Sequence, residues 1–147
     1  MSIHEAALWA AYLNTRYVVL AEGGEISLRV GERSPELDAL LVARGCDTWC
    51  LITAWNPGSE RLDSATNRAR NESLRRELDA VGSTRLDAEG RGEDGDWPAE
   101  ESFLVMGLAE SQAVDLARRH GQIAIVWGVR GATAQLVDCR TRKGDPT

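Results

Sequence analysis

Three kinds of side chain in this sequence could do chemistry together: the carboxylates of Glu100 and Glu101, the amides of Asn56, Asn67, Asn71 and Gln122, and the guanidinium of Arg70. A guanidinium forks planar oxyanions such as carboxylate and phosphate, and neighbouring amides would orient such a group. A carboxylate can hold an amine, or act as a general base if burial raises its pKa. Glu100 and Glu101 are adjacent, so on a strand they face opposite ways and at most one can serve a given site. Glu101 is the candidate base or amine acceptor, with Glu100 as a further binding residue. Trp55 and Trp97 are either packing residues or stacking surfaces. His120, in the last turn of a helix, gains from the helix dipole with no catalytic role required.

These residues are distant in sequence, so only the elements between them can bring them together. The spacing of Ile3, Ala6, Ala7, Ala10 and Leu13 predicts a short amphipathic helix. Two β-rich runs around Gly23-Gly24 predict a hairpin. Ser34 and Pro35 are an N-cap and a first helical residue, opening a helix to about Arg44 that Gly45 ends. The run from Thr48 to Trp55 is apolar on both faces, as in a strand inside a sheet, and Asn56-Pro57-Gly58 stops it. A long helix follows from an Asp63 cap to about Val81. Residues 83–90 then predict an edge strand and GRGEDGDWPAEE a polar loop. The run from Ser102 to Leu108 is again apolar on both faces. A helix from Glu110 to His120, a strand from Gln122 and a final strand at Thr133–Cys139 complete the chain.

From residue 48 the order is β-α-β-β-α-β, the split motif of a ferredoxin-like α+β domain with a mostly antiparallel sheet. The N-terminal helix and hairpin and the C-terminal strand are additions to that core. We expect one domain over residues 1–147, with a core at about 14–139 and a disordered tail at 140–147.

With the first and third strands of the motif as the central pair and a right-handed crossover, five junctions meet on one edge of the sheet. They carry Trp55 and Asn56; Asn67, Arg70 and Asn71; Trp97, Glu100, Glu101 and Ser102; and His120 and Gln122. On the long helix Asn67, Arg70 and Asn71 extend the inward stripe of Leu74, Leu78 and Val81. A buried polar group without a partner costs about 1–3 kcal/mol, so this edge holds either a satisfied network or a ligand site. In the network alternative Arg70 pairs with Glu100 or Glu101, Asn56 is turn chemistry and Gln122 satisfies backbone. In the site alternative the edge binds a small anionic ligand bearing a carboxylate or phosphate, with Arg70 as clamp, the amides orienting it and Trp97 beside it. A different function class is a protein-interaction or adapter role, using the acidic stretch 87–101, which has seven acids and one base, and exposed tryptophans.

Other classes are disfavoured. Asp+Glu outnumber Lys+Arg 23 to 17, a net charge of −6 that is the wrong sign for broad phosphate neutralisation, so we expect no nucleic-acid partner. All the basic residues but Lys143 are arginine. No run of about 18 apolar residues exists to span a membrane. The start, MSIHEAALWAAYL, lacks the basic region of a secretory leader, and the three cysteines are odd in number, which points to a reducing cytoplasm. Cys46 and Cys50 have no second ligand pair at metal-site spacing, so buried thiols and no metal are expected. There is no nucleophile elbow, phosphate loop or dinucleotide glycine pattern, and no cofactor is expected.

Four ordered segments, ITAWNPGS at 52–59, NRARNESLRREL at 67–78, WPAEESFLVMGL at 97–108 and GQIAIVWG at 121–128, together resemble the small bacterial family called domain of unknown function 3293. The likeness covers about residues 14–137 and implies a compact cytosolic bacterial protein. The family carries no assigned activity, so the resemblance transfers no catalytic residue.

Overall fold

The two runs that are apolar on both faces lie side by side in the middle of a sheet. In the computed structural model, which describes residues 3–92 and 99–140, they are β3 (Thr48–Ile52) and β5 (Glu100–Met106), paired antiparallel with Leu51 opposite Leu104. Around them the chain forms α1 (Ile3–Leu13), β1 (Arg16–Ala21), β2 (Gly24–Leu28), α2 (Pro35–Arg44), α3 (Ser64–Ala80), β4 (Thr84–Arg91), α4 (Glu110–Arg119), β6 (Ala124–Val129) and β7 (Gln135–Asp138). The seven strands make one antiparallel sheet in the order β2-β1-β4-β5-β3-β6-β7, an α+β architecture.

Alternation along β3 explains its lack of a polar face. Trp49 and Leu51 point to one side, where they meet Leu37 and Leu41 of α2 together with Leu104 and Met106. Cys50 and Ile52 point to the other, against Leu74 and Leu78 of α3, Ala113 and Ala117 of α4, and Phe103. Helices on both faces leave no solvent side, so every position of the strand is best filled by an apolar residue. Gly128 in β6 fits the same layer: a Cβ there would stand 2.3 Å from the Trp49 indole, so only glycine lets the ring lie across that strand.

Local signals start the helices where expected. The Ser34 hydroxyl accepts from Leu37 N–H at 3.1 Å, and the Asp63 carboxylate accepts from Thr66 N–H at 2.8 Å.

Two expectations need correction. The strand over residues 83–90 is not an edge strand, because β4 runs between β1 and β5. Its charges are tolerated there because α3 and α4 do not bury that side of it: Leu86 and Ala88 face the α2-side core, while Arg85 lays its guanidinium over the Phe103 ring at 6.0 Å. The polar loop is also shorter than 90–101, since both ends belong to β4 and β5; its middle, residues 93–98, lies outside the described residues. Of the expected tail, Arg140 is held by Asp138, at 2.9 Å from its backbone N–H, and residues 141–147 lie outside the described residues.

Candidate functional site

Beyond Ile52 the backbone leaves the β3 ladder but stays buried, so its N–H groups need new acceptors. Two asparagines of α3 supply them. Asn71 Oδ1 accepts from Ala54 N–H at 2.7 Å, and Asn67 Oδ1 accepts from Asn56 N–H at 2.8 Å. Residues four apart on a helix rise about 6 Å, close to the roughly 6.6 Å of two residues in a strand. The Asn67/Asn71 pair therefore matches the Ala54/Asn56 pair, and α3 acts as a side-chain substitute for a neighbouring strand. The other halves of the amides are used too. Asn71 Nδ2 donates to the Glu101 carbonyl at 2.8 Å, and Asn67 Nδ2 donates to Asn56 Oδ1 at 2.7 Å and to the Leu62 carbonyl at 3.2 Å. The Thr53 hydroxyl donates to the same Glu101 carbonyl at 2.6 Å.

Asn56 is the pivot. It sits in the left-handed region with φ of 45°, a conformation asparagine tolerates better than most residues. Its Oδ1 accepts from Leu62 N–H at 3.0 Å, which closes the turn, and its Nδ2 donates to Glu100 Oε1 at 2.9 Å. Gln122 Nε2 donates to the Trp55 carbonyl at 3.1 Å, tying the entry of β6 to the same corner. Next to it, Gly121 has φ of 73° and lies so close to Pro57 that a Cβ would approach the proline Cβ to 2.8 Å.

On the α2 side of this corner, α1 folds back over the sheet end and borders a partly open cavity of about 640 Å³. Leu51, Ala124 and Val126 give it an apolar floor, and Leu8 and Tyr12 of α1 face them. Its polar lining includes Asn56, Glu100, Ser102, Gln122 and Tyr17. Ser102 carries a buried hydroxyl with no hydrogen-bond partner among the described residues. Burial pushes the Tyr12 phenol pKa upward; a hydrogen bond with Ser59 opposes this and the Glu100 charge adds to it. Burial also raises Tyr17, with Tyr12 and Glu100 contributing in the same direction. Both phenols are therefore neutral hydroxyls at ordinary pH.

The expected site residues divide in two. Asn56, Glu100 and Gln122 line the cavity. Asn67 and Asn71 are buried, their amides taken up by backbone groups and by the Asn56 side chain, and neither is among the described residues lining the cavity. Arg70 is exposed: the buried stripe of α3 is Asn67, Asn71, Leu74 and Leu78, narrower than the inward stripe that included Arg70 and Val81. It is not among the described residues that line this cavity, so an anion clamp at Arg70 is not part of this pocket. Strand alternation turns the Glu101 side chain outward and Glu100 inward, and the contribution of Glu101 to the network is its carbonyl. Trp97 lies outside the described residues, as do Glu93, Asp94 and Asp96 of the acidic stretch. Of the other tryptophans, Trp49 and Trp127 are buried and Trp9 and Trp55 half-buried, so none supports the expected exposed aromatic surface.

Elsewhere, His120 is buried with Nε2 3.1 Å from Glu77 Oε2. Burial would raise the Glu77 pKa, but His120 and Arg119 outweigh it and hold the carboxyl below its usual range. Cys50 and Cys139 pack into the α3/α4-side core, where burial pushes both thiols up to about 12. Among the described residues no group of three or more His, Cys, Asp or Glu is placed to hold a metal ion, and no helix is long and apolar enough to cross a membrane.

Sequence patterns placed Ser102 on this edge but did not point to Tyr12 or Tyr17. The available signal was the tyrosines' position on a helix and strand that had to cover an apolar sheet face. The family model described as "Protein of unknown function (DUF3293)" matches residues 52–125, half of the chain. That span holds the asparagine network, Glu100, Ser102 and Gln122, and leaves α1 and β1 outside it. No curated protein and no solved structure matches the chain significantly.

Proposed function

The chain belongs to the DUF3293 family of proteins of unknown function, and on the geometry of its sheet edge we propose that it binds a small organic molecule in the cavity between α1 and the sheet. The observation that carries this reading is a partly open cavity of about 640 Å³ with an apolar floor and a polar wall, which suits a ligand having an apolar body and one hydrogen-bonding head. The Asn56–Glu100 contact supports a fixed wall, because Asn56 is itself tied to Asn67 and Leu62. A ferredoxin-like core belongs to the same reading, supported by the neighbouring positions of β3 and β5 with β4 and β6 flanking them. So does a reducing, cytoplasmic bacterial setting, supported by three free thiols. The adapter alternative draws on the acidic stretch 87–101, of which Asp87 and Glu101 are exposed and Glu93, Asp94, Asp96 and Trp97 lie outside the described residues.

A thermal-shift panel of small amphipathic molecules tests the reading against Ala11→Trp, which adds bulk at an exposed position lining the cavity. A ligand at about 100 times its Kd adds about 2.7 kcal/mol, or roughly 5–10 °C for a chain of this size. The hit should lose its effect in Ala11→Trp. An equal shift in both proteins would place the ligand elsewhere and defeat the reading.

A further inference from the structure

Alanine and leucine favour helix in α1, and Thr15 closes its end by donating from its hydroxyl to the Ala11 carbonyl at 2.7 Å. Yet none of residues 5–13 is buried, whereas α2, α3 and α4 each bury at least two side chains. Leu8, Ala11 and Tyr12, at i, i+3 and i+4, make one face of α1, and that face lies over the cavity. Polar contacts tie the helix down. Arg140, which follows β7 and is fixed by Asp138 at 2.9 and 3.1 Å, reaches across to Glu5 at 3.5 Å and sets its guanidinium 5.7 Å from the centre of the Trp9 ring. Tyr12 hydrogen-bonds with Ser59. At its other end α1 passes into β1 through Asn14 and Thr15, a short connection of the kind on which an element swings. Taking that cavity as the binding site, we propose that α1 is its lid, hinged at Asn14 and Thr15, held over the cavity by Arg140 and swinging aside to admit the ligand. Both side chains of the latch are partly exposed, 39% for Arg140 and 44% for Glu5, so the ion pair and the ring contact are weak enough to open. A ligand with an apolar body gives Leu8, Ala11 and Tyr12 the contact that open space denies them, so filling the cavity shifts α1 toward the closed form.

Hydrogen exchange of the full-length protein reads the lid, because a helix of 11 residues is marginal once it leaves its support and its amides then exchange. Arg140→Ala should speed exchange in α1 by about three- to tenfold, the weight of one exposed ion pair and one ring contact together, and leave β3 and β5 unchanged. Uptake of N-phenyl-1-naphthylamine, a neutral apolar fluorophore followed by stopped-flow fluorescence, should quicken by a similar factor, because the probe enters through the open form. Bound probe should slow α1 exchange in the wild-type protein. Glu5→Gln should reproduce part of the Arg140→Ala effect in the wild-type chain and add nothing to Arg140→Ala, which separates the latch from a loosened β7. Equal α1 exchange in the wild-type protein and Arg140→Ala would overturn the lid and leave the cavity reading intact. So would faster exchange with unchanged uptake. Failure of the probe to enter either protein up to its solubility would overturn both.

Discussion

Ser102 and Asn71 are both buried polar side chains at the same sheet edge, and they should respond oppositely to alanine. Asn71 satisfies Ala54 N–H and the Glu101 carbonyl, so Asn71→Ala strands a buried donor and should cost about 1–3 kcal/mol in urea denaturation. The Ser102 hydroxyl has no partner among the described residues, so Ser102→Ala removes a group with no hydrogen bond to lose there and should be neutral or stabilising by up to about 1 kcal/mol. A loss of stability in Ser102→Ala comparable to that in Asn71→Ala would show that the hydroxyl is satisfied after all. Residue types alone marked the edge as polar where a core was due, and the i, i+4 spacing of Asn67 and Asn71 matches the two-residue spacing of the backbone they serve. Sequence could not show that Arg70, one position before Asn71, turns outward, because the width of a buried stripe depends on how closely the sheet approaches the helix.

Between elements, the clearest electrostatic tie joins α2 to the turn between β6 and β7. Asp38 accepts from Gly131 N–H at 2.9 Å and from Arg33 Nε at 3.1 Å. The Gly131 donor, and then Arg33, hold the Asp38 carboxyl below its usual pKa despite the opposing effect of burial. A carboxyl whose pKa is lower in the folded state stabilises the fold above its unfolded pKa, near 4, and ceases to do so as pH falls through the folded value. Asp38→Ala should therefore cost about 1 kcal/mol at pH 7, with wild-type and variant stabilities converging as pH falls from about 5 toward 2. Parallel pH profiles would show that Asp38 carries no folded-state shift. Caps, turns and apolar periodicity made nearly every element legible; what they missed was the interior position of β4. Its charged residues look like an edge because sequence does not reveal that helices cover only one of its faces.

Across the whole molecule, the sheet separates two apolar layers that should fail independently. Leu41 is fully buried on the α2 side and Leu78 fully buried on the α3/α4 side, in different clusters. Each leucine-to-alanine change should cost about 2–5 kcal/mol, and the double variant should lose the sum to within about 0.5 kcal/mol, because the two sites share no partners. A clear departure from additivity would mean that the sheet transmits strain between its faces. By itself the sequence determined what period and local chemistry encode: which segments are helix or strand, which strands are covered on both sides, and that polar residues interrupt an inward stripe at one edge. Tertiary structure decided which of those groups saturate one another and which line open space. It brought Tyr12, near the start of the chain, across the sheet end from Glu100. Such meetings depend on long-range packing, and the order of residues along one chain does not encode the distance between two faces that pack only after folding.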